Sequence, residues 1–290
     1  MKIKTAVFPV GGLGTRFLPA TKSMPKEMLP VANKPIIQYA YEEALYAGIE
    51  KFIFITGRNK SAINNHFDHA YELESNLNEK DKYIELEKVR SWLPKAGQIA
   101  FVRQQQPLGL GHAVWCARNF IAKDERFAVI LADEMLYGQN QDSSFLKQMI
   151  EFASSKESDS SVVAVGEVDF SETFKYGIIK DFGQEKIVDM IEKPKPENAP
   201  SNLAMTGRYI LHPKIFEYLA KTNIGSGGEL QLTDAMKIMI KDYPFYYQKI
   251  NQPRFDCGNI LGYVEANIAF SLNNAEIKDD LLKILKKYCN

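Results

Sequence analysis

The residues best suited to chemistry lie near the start of the chain, where glycines and cations occur together. The segment "FPVGGLGTRFLPATKSMPKEMLP" supplies Gly11, Gly12, Gly14, Arg16, Lys22 and Lys26. Glycines allow a ligand to approach the backbone closely, and successive backbone N–H groups in such a turn form a concave site for an anion. Lysine and arginine add the positive charge that a bound triphosphate requires. The segment therefore predicts a loop that binds a polyphosphate.

Two widespread phosphate-binding motifs do not describe this loop. A Walker A motif contains a Gly-Lys pair, and no such pair occurs in the chain. The dinucleotide fingerprint needs a third glycine after Gly12 and Gly14, but Phe17 stands at that position. These differences argue against a P-loop NTPase and against a Rossmann-type dehydrogenase.

A carboxylate closes one of the predicted buried strands. Asp133 ends the run "FAVILAD" at 127–133. A parallel strand would deliver this residue to the carboxyl edge of its sheet, where α/β proteins bind ligands. Aspartate oxygens suit Mg²⁺, a hard cation that prefers oxygen ligands. An aspartate at a strand end also forms turns and helix caps, so the pattern alone leaves both interpretations open.

The order of predicted elements indicates how these residues are positioned. Short β-branched or apolar runs predict strands at 3–10, 51–57, 98–104, 127–133 and 160–168. Apolar residues recur at helical spacing over 34–49 and 109–121, between the strands. This alternation predicts an α/β fold with a Rossmann-like, mixed but mainly parallel sheet flanked by helices.

Two parts of the chain depart from the alternation. Residues 58–97 are polar, charged and helix-prone, and we expect them to form a helical insertion beside the sheet. Residues 176–194 alternate in the manner of antiparallel strands joined by turns. Helical patterns return at 229–243 and 259–274.

Composition narrows the class of protein. Hydrophobic residues make up 45% and charged residues 25%, as in globular proteins. Lys+Arg and Asp+Glu both total 36, and this zero net charge argues against non-specific nucleic-acid binding. Three cysteines without a C-x-x-C pair predict reduced thiols, and the initial apolar run is too short for a signal peptide. With no apolar window of membrane length, we expect a cytoplasmic protein without a membrane partner.

The ordered motifs resemble those of the sugar-1-phosphate nucleotidylyltransferases, over nearly the whole chain. The opening loop reads G-G-x-G-T-R-x-x-P-x-T and then P-K-E-M-L-P. Further motifs follow in the family's order, namely "VRQQQPLGLGHAV", "LADE", "YGII", "IEKP", "TGRY", "GGELQLTDA" and "FDCGN". The resemblance implies a single nucleotidyltransferase domain over 1–290. Its nucleotide-binding half spans about 1–135, with the insertion at 58–97, and its sugar-binding and C-terminal half spans about 136–290.

Within the family, the insertion and "PLGLGHAV" look most like the members that use UTP. The resemblance implies transfer of a uridylyl group from UTP to α-D-glucose 1-phosphate, giving UDP-glucose and pyrophosphate. The attacking phosphate is already ionised, so positioning and charge neutralisation suffice without a protein nucleophile. A dTTP-using thymidylyltransferase and a catalytically silent nucleotide-sugar-binding regulator remain alternatives. Relatives also suggest a homodimer or a homotetramer.

The resemblance further implies roles for individual residues. Lys26 would contact the triphosphate or the attacking phosphate, and Arg16 the leaving pyrophosphate. Lys193 would bind the sugar phosphate. Asp133 and Asp256 would hold Mg²⁺ between them.

The remaining implied contacts concern the base and the sugar. Gln104 would select the base, because its amide both donates and accepts hydrogen bonds. The rest of the nucleotide pocket would comprise Gly11, Gly12, Glu27 and Gly109, and the sugar would meet Gly177 and Glu192. Uridylyltransferases more often have alanine where this chain has Gly11. His112, beside this pocket in sequence, is expected to cap or pack.

Overall fold

A computed structural model describes residues 3–138, 140, 143–225 and 228–288. Within these residues the strands are β1 (Thr5–Val10), β2 (Pro30–Val31), β3 (Lys34–Pro35), β4 (Lys51–Thr56), β5 (Ile99–Arg103), β6 (Phe127–Ile130), β7 (Glu134–Leu136), β8 (Ser161–Glu167), β9 (Gly177–Asp181), β10 (Lys186–Glu192), β11 (Leu203–Leu211), β12 (Phe245–Lys249) and β13 (Arg254–Asp256). The helices are α1 (Ile36–Tyr46), α2 (Ser61–His66), α3 (Tyr71–Glu79), α4 (Tyr83–Arg90), α5 (Leu110–Cys116), α6 (Phe145–Ser154), α7 (Ile215–Leu219), α8 (Leu232–Met239), α9 (Ile260–Leu272) and α10 (Lys278–Tyr288).

The main sheet is mixed, which confirms the predicted α/β class. Among the described residues it has nine strands in the order β5-β4-β1-β6-β11-β8-β12-β10-β9. Strands β5, β4, β1 and β6 run parallel, as do β8 and β12. The pairings of β11 with its neighbours, and those of β10, are antiparallel. The parallel part follows the strand–helix–strand segments, whereas β9 and β10 are joined by a short turn that permits only antiparallel pairing.

Helices cover both faces of the sheet. Along β1, Phe8 joins a core that α1 and α6 cover, and its neighbour Val7 joins a second core on the opposite face with α5 and α8. Successive side chains of a strand point to opposite faces, so a strand covered on both sides is apolar throughout. This double burial accounts for the almost continuous apolar run "AVFPV".

The segment at 58–97 contains helices α2, α3 and α4, in agreement with its helix-prone sequence. Glu74 of α3 is buried, and its Oε2 accepts a hydrogen bond from Arg90 Nε of α4 at 2.5 Å. At the other end of the chain, α10 contributes no buried residue. None of the helices in the described part of the chain combines the length and apolar character that crossing a bilayer requires.

Candidate active site

A cleft of about 980 Å³ is lined in part by the segment that connects β6 to β7. Six of the residues predicted from the sequence line it, namely Arg16, Asp133, Gly177, Glu192, Lys193 and Asp256. They come from both halves of the chain. The β11 strand of the second half lies directly beside β6 of the first, and this pairing brings the two sets together.

The two predicted metal ligands both line the cleft and lie close to each other. Strand β13 pairs with β7 so that Asp256 lies opposite Glu134, and Cys257 N donates to Asp133 O at 2.7 Å. A Cβ atom built on Gly258 would lie 2.8 Å from Asp256 Oδ1 and 3.1 Å from Asp133 Oδ2. Both carboxylates therefore face the same small space.

Asp256 is held in place by its own motif. Gly258 N donates to Asp256 Oδ1 at 2.8 Å, and Asn259 Nδ2 donates to Asp256 Oδ2 at 2.9 Å. Asn259 Oδ1 also accepts from Gly262 N and so caps α9. The "FDCGN" motif thus orients a carboxylate and begins a helix with the same few residues.

Lys26 makes an ion pair with Asp133, with 2.5 Å between Nζ and Oδ2. Burial alone would lower the pKa of Lys26, but Asp133 and Glu27 more than offset this and raise it. Burial alone would raise the pKa of Asp133, but Lys26 and Arg16 hold it below its ordinary value. Lysine and aspartate are therefore both charged at neutral pH.

Arg16 adds a second cation beside this pair. Its Nη1 lies 3.4 Å from Gly258 O, and Arg16 and Lys26 together line a depression of about 270 Å³ that adjoins the cleft. Gly14 shapes this part of the loop with a φ of 66°, and a Cβ there would lie 3.0 Å from Lys26 Cβ. Because Gly14 has no side chain, the loop that carries Arg16 can pass close to Lys26.

The donor set at Asp133 and Asp256 fits Mg²⁺. Two carboxylates face a common space, and anionic oxygens are the ligands that this cation prefers. In the part of the chain that the structure describes, no group of three His, Cys, Asp or Glu side chains forms a metal-binding cluster. An ion held by this pair would take its other ligands from water and from substrate phosphates, as Mg²⁺ commonly does.

Gln104, Gly11 and Gly109 form a separate group, the base group. Gln104 follows β5, is 6% exposed and donates from Nε2 to Gly109 O at 3.1 Å. A Cβ on Gly11 would lie 2.5 Å from Gln104 Oε1. Gly11 leaves room for the side-chain carbonyl of Gln104, and a side chain at position 11 would displace this carbonyl.

The other predicted nucleotide residues differ in their surroundings. Gly109 has a φ of 95°, and its Cβ would lie 2.7 Å from Glu229 Cβ, so both conformation and packing require glycine. Gly12 is exposed, with no atom within 4 Å of its Cβ position. Glu27 is 3% exposed, and its Oε2 accepts from Lys60 Nζ at 2.6 Å. Burial raises the pKa of Glu27 although Lys60 and Lys26 oppose it. Direct nucleotide contacts of Gly12 and Glu27 stay predictions.

Lys22 lies apart from the carboxylates. It lines a depression of about 150 Å³ with Gly12, Arg58 and Lys60. Lys22, Arg58 and Lys60 therefore form a second group of cations, which lines a different depression from Arg16 and Lys26.

The predicted sugar residues Gly177 and Glu192 lie next to each other in the lining of the cleft. Gly177 of β9 is paired in register with Glu192 of β10, whose Oε2 accepts from Thr233 Oγ1 at 2.6 Å. A Cβ on Gly177 would collide with Met205 Cε and would lie 3.1 Å from Glu192 Oε2. Lys193 Nζ lies 3.5 Å from Glu192 Oε1, and the lysine side chain is 54% exposed.

An ion pair that lines the cleft was not identified from the sequence. Glu134 Oε2 and Arg254 Nη1 are 2.8 Å apart, and both residues line the cleft. Burial raises the pKa of Glu134 to about 7, against the effect of Arg254 and with a contribution from Asp256. The sequence gives one indication of this pair, because Glu134 directly follows Asp133 in "LADE" and Arg254 directly precedes "FDCGN".

Comparison with known proteins identifies the family. Residues 5–271 match the sequence family described as Nucleotidyl transferase. The chain belongs to the nucleotidyl transferase family. This confirms the resemblance seen in the sequence and the class of enzyme that it implies.

Individual relatives extend over almost the full length of this nucleotidyl transferase. The UTP–glucose-1-phosphate uridylyltransferase 2 of Staphylococcus saprophyticus is 47% identical over 290 residues, which cover 99% of this chain and 98% of that protein. A UTP-bound UGPase from Acinetobacter baumannii superposes with a TM-score of 0.89 at 36% identity, covering 98% of each chain. A UDP-glucose pyrophosphorylase complexed with UDP-glucose gives a TM-score of 0.82 at 42% identity, covering 94% of this chain and 100% of that one.

Proposed function

We propose that this nucleotidyl transferase moves a uridylyl group from UTP to α-D-glucose 1-phosphate, forming UDP-glucose and pyrophosphate. The observation that carries the proposal is that Asp133 and Asp256 face a common space, with Lys26 paired to Asp133, in the same cleft that Gly177 and Glu192 line. Relatives named for this activity, and solved relatives with UTP or UDP-glucose bound, support it.

The reaction needs positioning and charge neutralisation rather than a protein nucleophile. An oxygen of the sugar phosphate forms a bond to the α-phosphorus of UTP, the bond to the β-phosphate oxygen breaks, and pyrophosphate leaves. Lys26 and Arg16 offset the charge of the triphosphate and of the departing pyrophosphate. Lys193, which lines the same cleft with an exposed side chain, binds the sugar phosphate.

Asp133 and Asp256 would hold Mg²⁺ in the space that they share. When bound, Mg²⁺ lowers the repulsion between the two substrates' phosphates. Asp133 remains ionised because Lys26 and Arg16 hold its pKa below the ordinary value, so it is ready to act as an anionic ligand. Asp256 is kept in position by Gly258 N and Asn259 Nδ2.

Gln104, Gly11 and Gly109 of the base group select the nucleotide, and Gly177 and Glu192 select the sugar. Gln104 presents an amide to the base, and Gly11, Gly12, Glu27 and Gly109 complete that pocket. At Gly177 the backbone comes close to the sugar, while Glu192, oriented by Thr233, accepts hydrogen bonds from sugar hydroxyls. The cytoplasmic location and the homodimer or homotetramer stay predictions.

Pyrophosphate release tests the substrate assignment. Purified protein with Mg²⁺ and glucose 1-phosphate is assayed separately with UTP, dTTP, ATP, CTP and GTP. We expect a clear preference for UTP. A preference for dTTP would keep the fold and the chemistry but would replace the proposed function with thymidylyl transfer.

A further inference from the structure

The side-chain amide of Gln104 has a defined orientation. Its Nε2 lies 3.1 Å from Gly109 O and 3.1 Å from His112 Nδ1. A backbone carbonyl only accepts hydrogen bonds, so the end of the amide beside Gly109 is the NH₂ group. Both of its hydrogens then have acceptors, and the carbonyl Oε1 points to the side of Gly11.

His112 supplies one of those two acceptors. To accept from Gln104, its Nδ1 must carry no proton, which corresponds to the neutral ring with hydrogen on Nε2. Burial and the nearby Arg118 both lower the pKa of His112, which favours this neutral form. Cys116 Sγ lies 4.0 Å from the same Nδ1, and the His112 ring stacks on Trp115 with 6.0 Å between centroids. Neighbours on α5 therefore hold the ring in place.

We propose that His112 is a positioning residue for base selection, which keeps Gln104 Oε1 turned toward the base by accepting from Gln104 Nε2. The proposal rests on the proposed role of Gln104 in the base group. His112 acts through Gln104 and has no assigned contact with substrate. Packing alone, which the sequence suggested for His112, does not account for a bond between Nδ1 and the Gln104 amide.

Uracil and cytosine present different groups to a fixed amide oxygen. Uracil carries a hydrogen on N3 that Oε1 can accept, whereas N3 of cytosine is itself an acceptor and is repelled by Oε1. Without His112, the bond to Gly109 O is the remaining hydrogen bond of the Gln104 amide among the residues that the structure describes, and rotation of the amide would offer NH₂ to cytosine. Thymine presents the same N3–H as uracil, so a fixed Gln104 Oε1 does not discriminate between UTP and dTTP.

Three substitutions at His112 test the proposal. His112→Phe keeps an aromatic ring against Trp115 but removes Nδ1, and His112→Leu removes both. His112→Asn can place an amide oxygen near the position of Nδ1. The measurement is kcat/KM for UTP, CTP and dTTP, together with KM for glucose 1-phosphate and the thermal midpoint of each variant.

We expect the Phe and Leu variants to lower the UTP-to-CTP ratio about tenfold, since one restraining hydrogen bond is lost. The UTP-to-dTTP ratio and KM for glucose 1-phosphate should not change, and His112→Asn should recover most of the UTP-to-CTP ratio.

An unchanged UTP-to-CTP ratio in either folded variant would overturn the proposal. An equal loss with all three nucleotides would also overturn it, because that is the result of a packing role. Gln104→Ala tests the role of Gln104 separately from that of His112. If this variant keeps the UTP-to-CTP ratio of the wild type, Gln104 does not select the base, and the roles assigned to Gln104 and to His112 are both wrong. The assay of pyrophosphate release with the five triphosphates tests uridylyl transfer independently of both residues.

Discussion

Lys26 Nζ lies 2.5 Å from Asp133 Oδ2, so the glycine loop after β1 is joined directly to the carboxylate after β6. The predicted phosphate-binding cation and the predicted metal ligand therefore form one charged unit. Asp256, delivered by the β7–β13 pairing, faces the same space as Asp133. The glycine loop and the two carboxylates are therefore close enough to act on the phosphates of the proposed substrates together.

Lys26→Met should reduce kcat about 10² to 10³-fold, the cost of removing one preorganised group that stabilises transition-state charge. The loss should appear in kcat more than in KM for glucose 1-phosphate, because the charge of the triphosphate develops during transfer. Steady-state kinetics of pyrophosphate release provide the measurement. Lys22→Met is a control from the same loop, since Lys22 lines a separate depression. Equal losses in the two variants would contradict the specific role of Lys26.

Asp133→Asn should decrease turnover more than about 100-fold and raise the Mg²⁺ concentration needed for half-maximal rate, because the site loses an anionic ligand. Titration of the rate with Mg²⁺ at saturating UTP makes the measurement. Asp280→Asn, which changes a carboxylate with a 77% exposed side chain on α10, is the matched control and should behave like the wild type. Wild-type rates for Asp133→Asn at limiting Mg²⁺ would remove Asp133 from the metal site.

Gly177→Ala should raise KM for glucose 1-phosphate about tenfold or more, since misplaced groups in a binding site cost one or two orders of magnitude. The added methyl pushes Met205 Cε away and crowds Glu192 and Thr233. KM for UTP serves as the internal control, because Gly177 is not part of the proposed base group. A rise in both KM values would show that the substitution disturbs more than the predicted sugar contacts.

Glu43→Gln should lower the free energy of unfolding by about 3 kcal/mol, because it breaks a buried ion pair and leaves one charge uncompensated. Glu43 and Arg208 are 2% and 1% exposed, with 2.7 Å between Glu43 Oε2 and Arg208 Nη2. Urea unfolding followed by circular dichroism gives the value. The surface pair of Asp280 with Lys283 is the comparison, and its loss through Asp280→Asn should leave stability unchanged. An unaffected midpoint for Glu43→Gln would show that the buried pair contributes no net stability.

Local patterns in the sequence predicted most of the fold. The segments 3–10 and 34–49 were predicted as a strand and a helix, and the structure has Thr5–Val10 and Ile36–Tyr46. These elements follow from hydrophobic periodicity, which is a property of neighbouring residues. The sequence does not show by itself that β11 lies beside β6, because that pairing depends on the whole sheet.

The candidate site was less predictable from the residues alone. Asp133 was visible as an acidic residue at a strand end, whereas Asp256 was assigned only through the family resemblance. The β7–β13 pairing that joins them consists of three residues on each strand and leaves no periodic signal. His112 was expected to cap or pack, because the position of its ring relative to Gln104 is determined by tertiary structure.

Phosphorus-31 NMR of the complete reaction shows whether the protein transfers a uridylyl group. Protein, Mg²⁺, UTP and glucose 1-phosphate are mixed, and the resonances of UDP-glucose and pyrophosphate are followed together. We expect both products to appear in equal amounts and only when both substrates are present. Unchanged UTP in a folded sample that still binds UDP-glucose would contradict this expectation and would identify a silent nucleotide-sugar-binding protein instead.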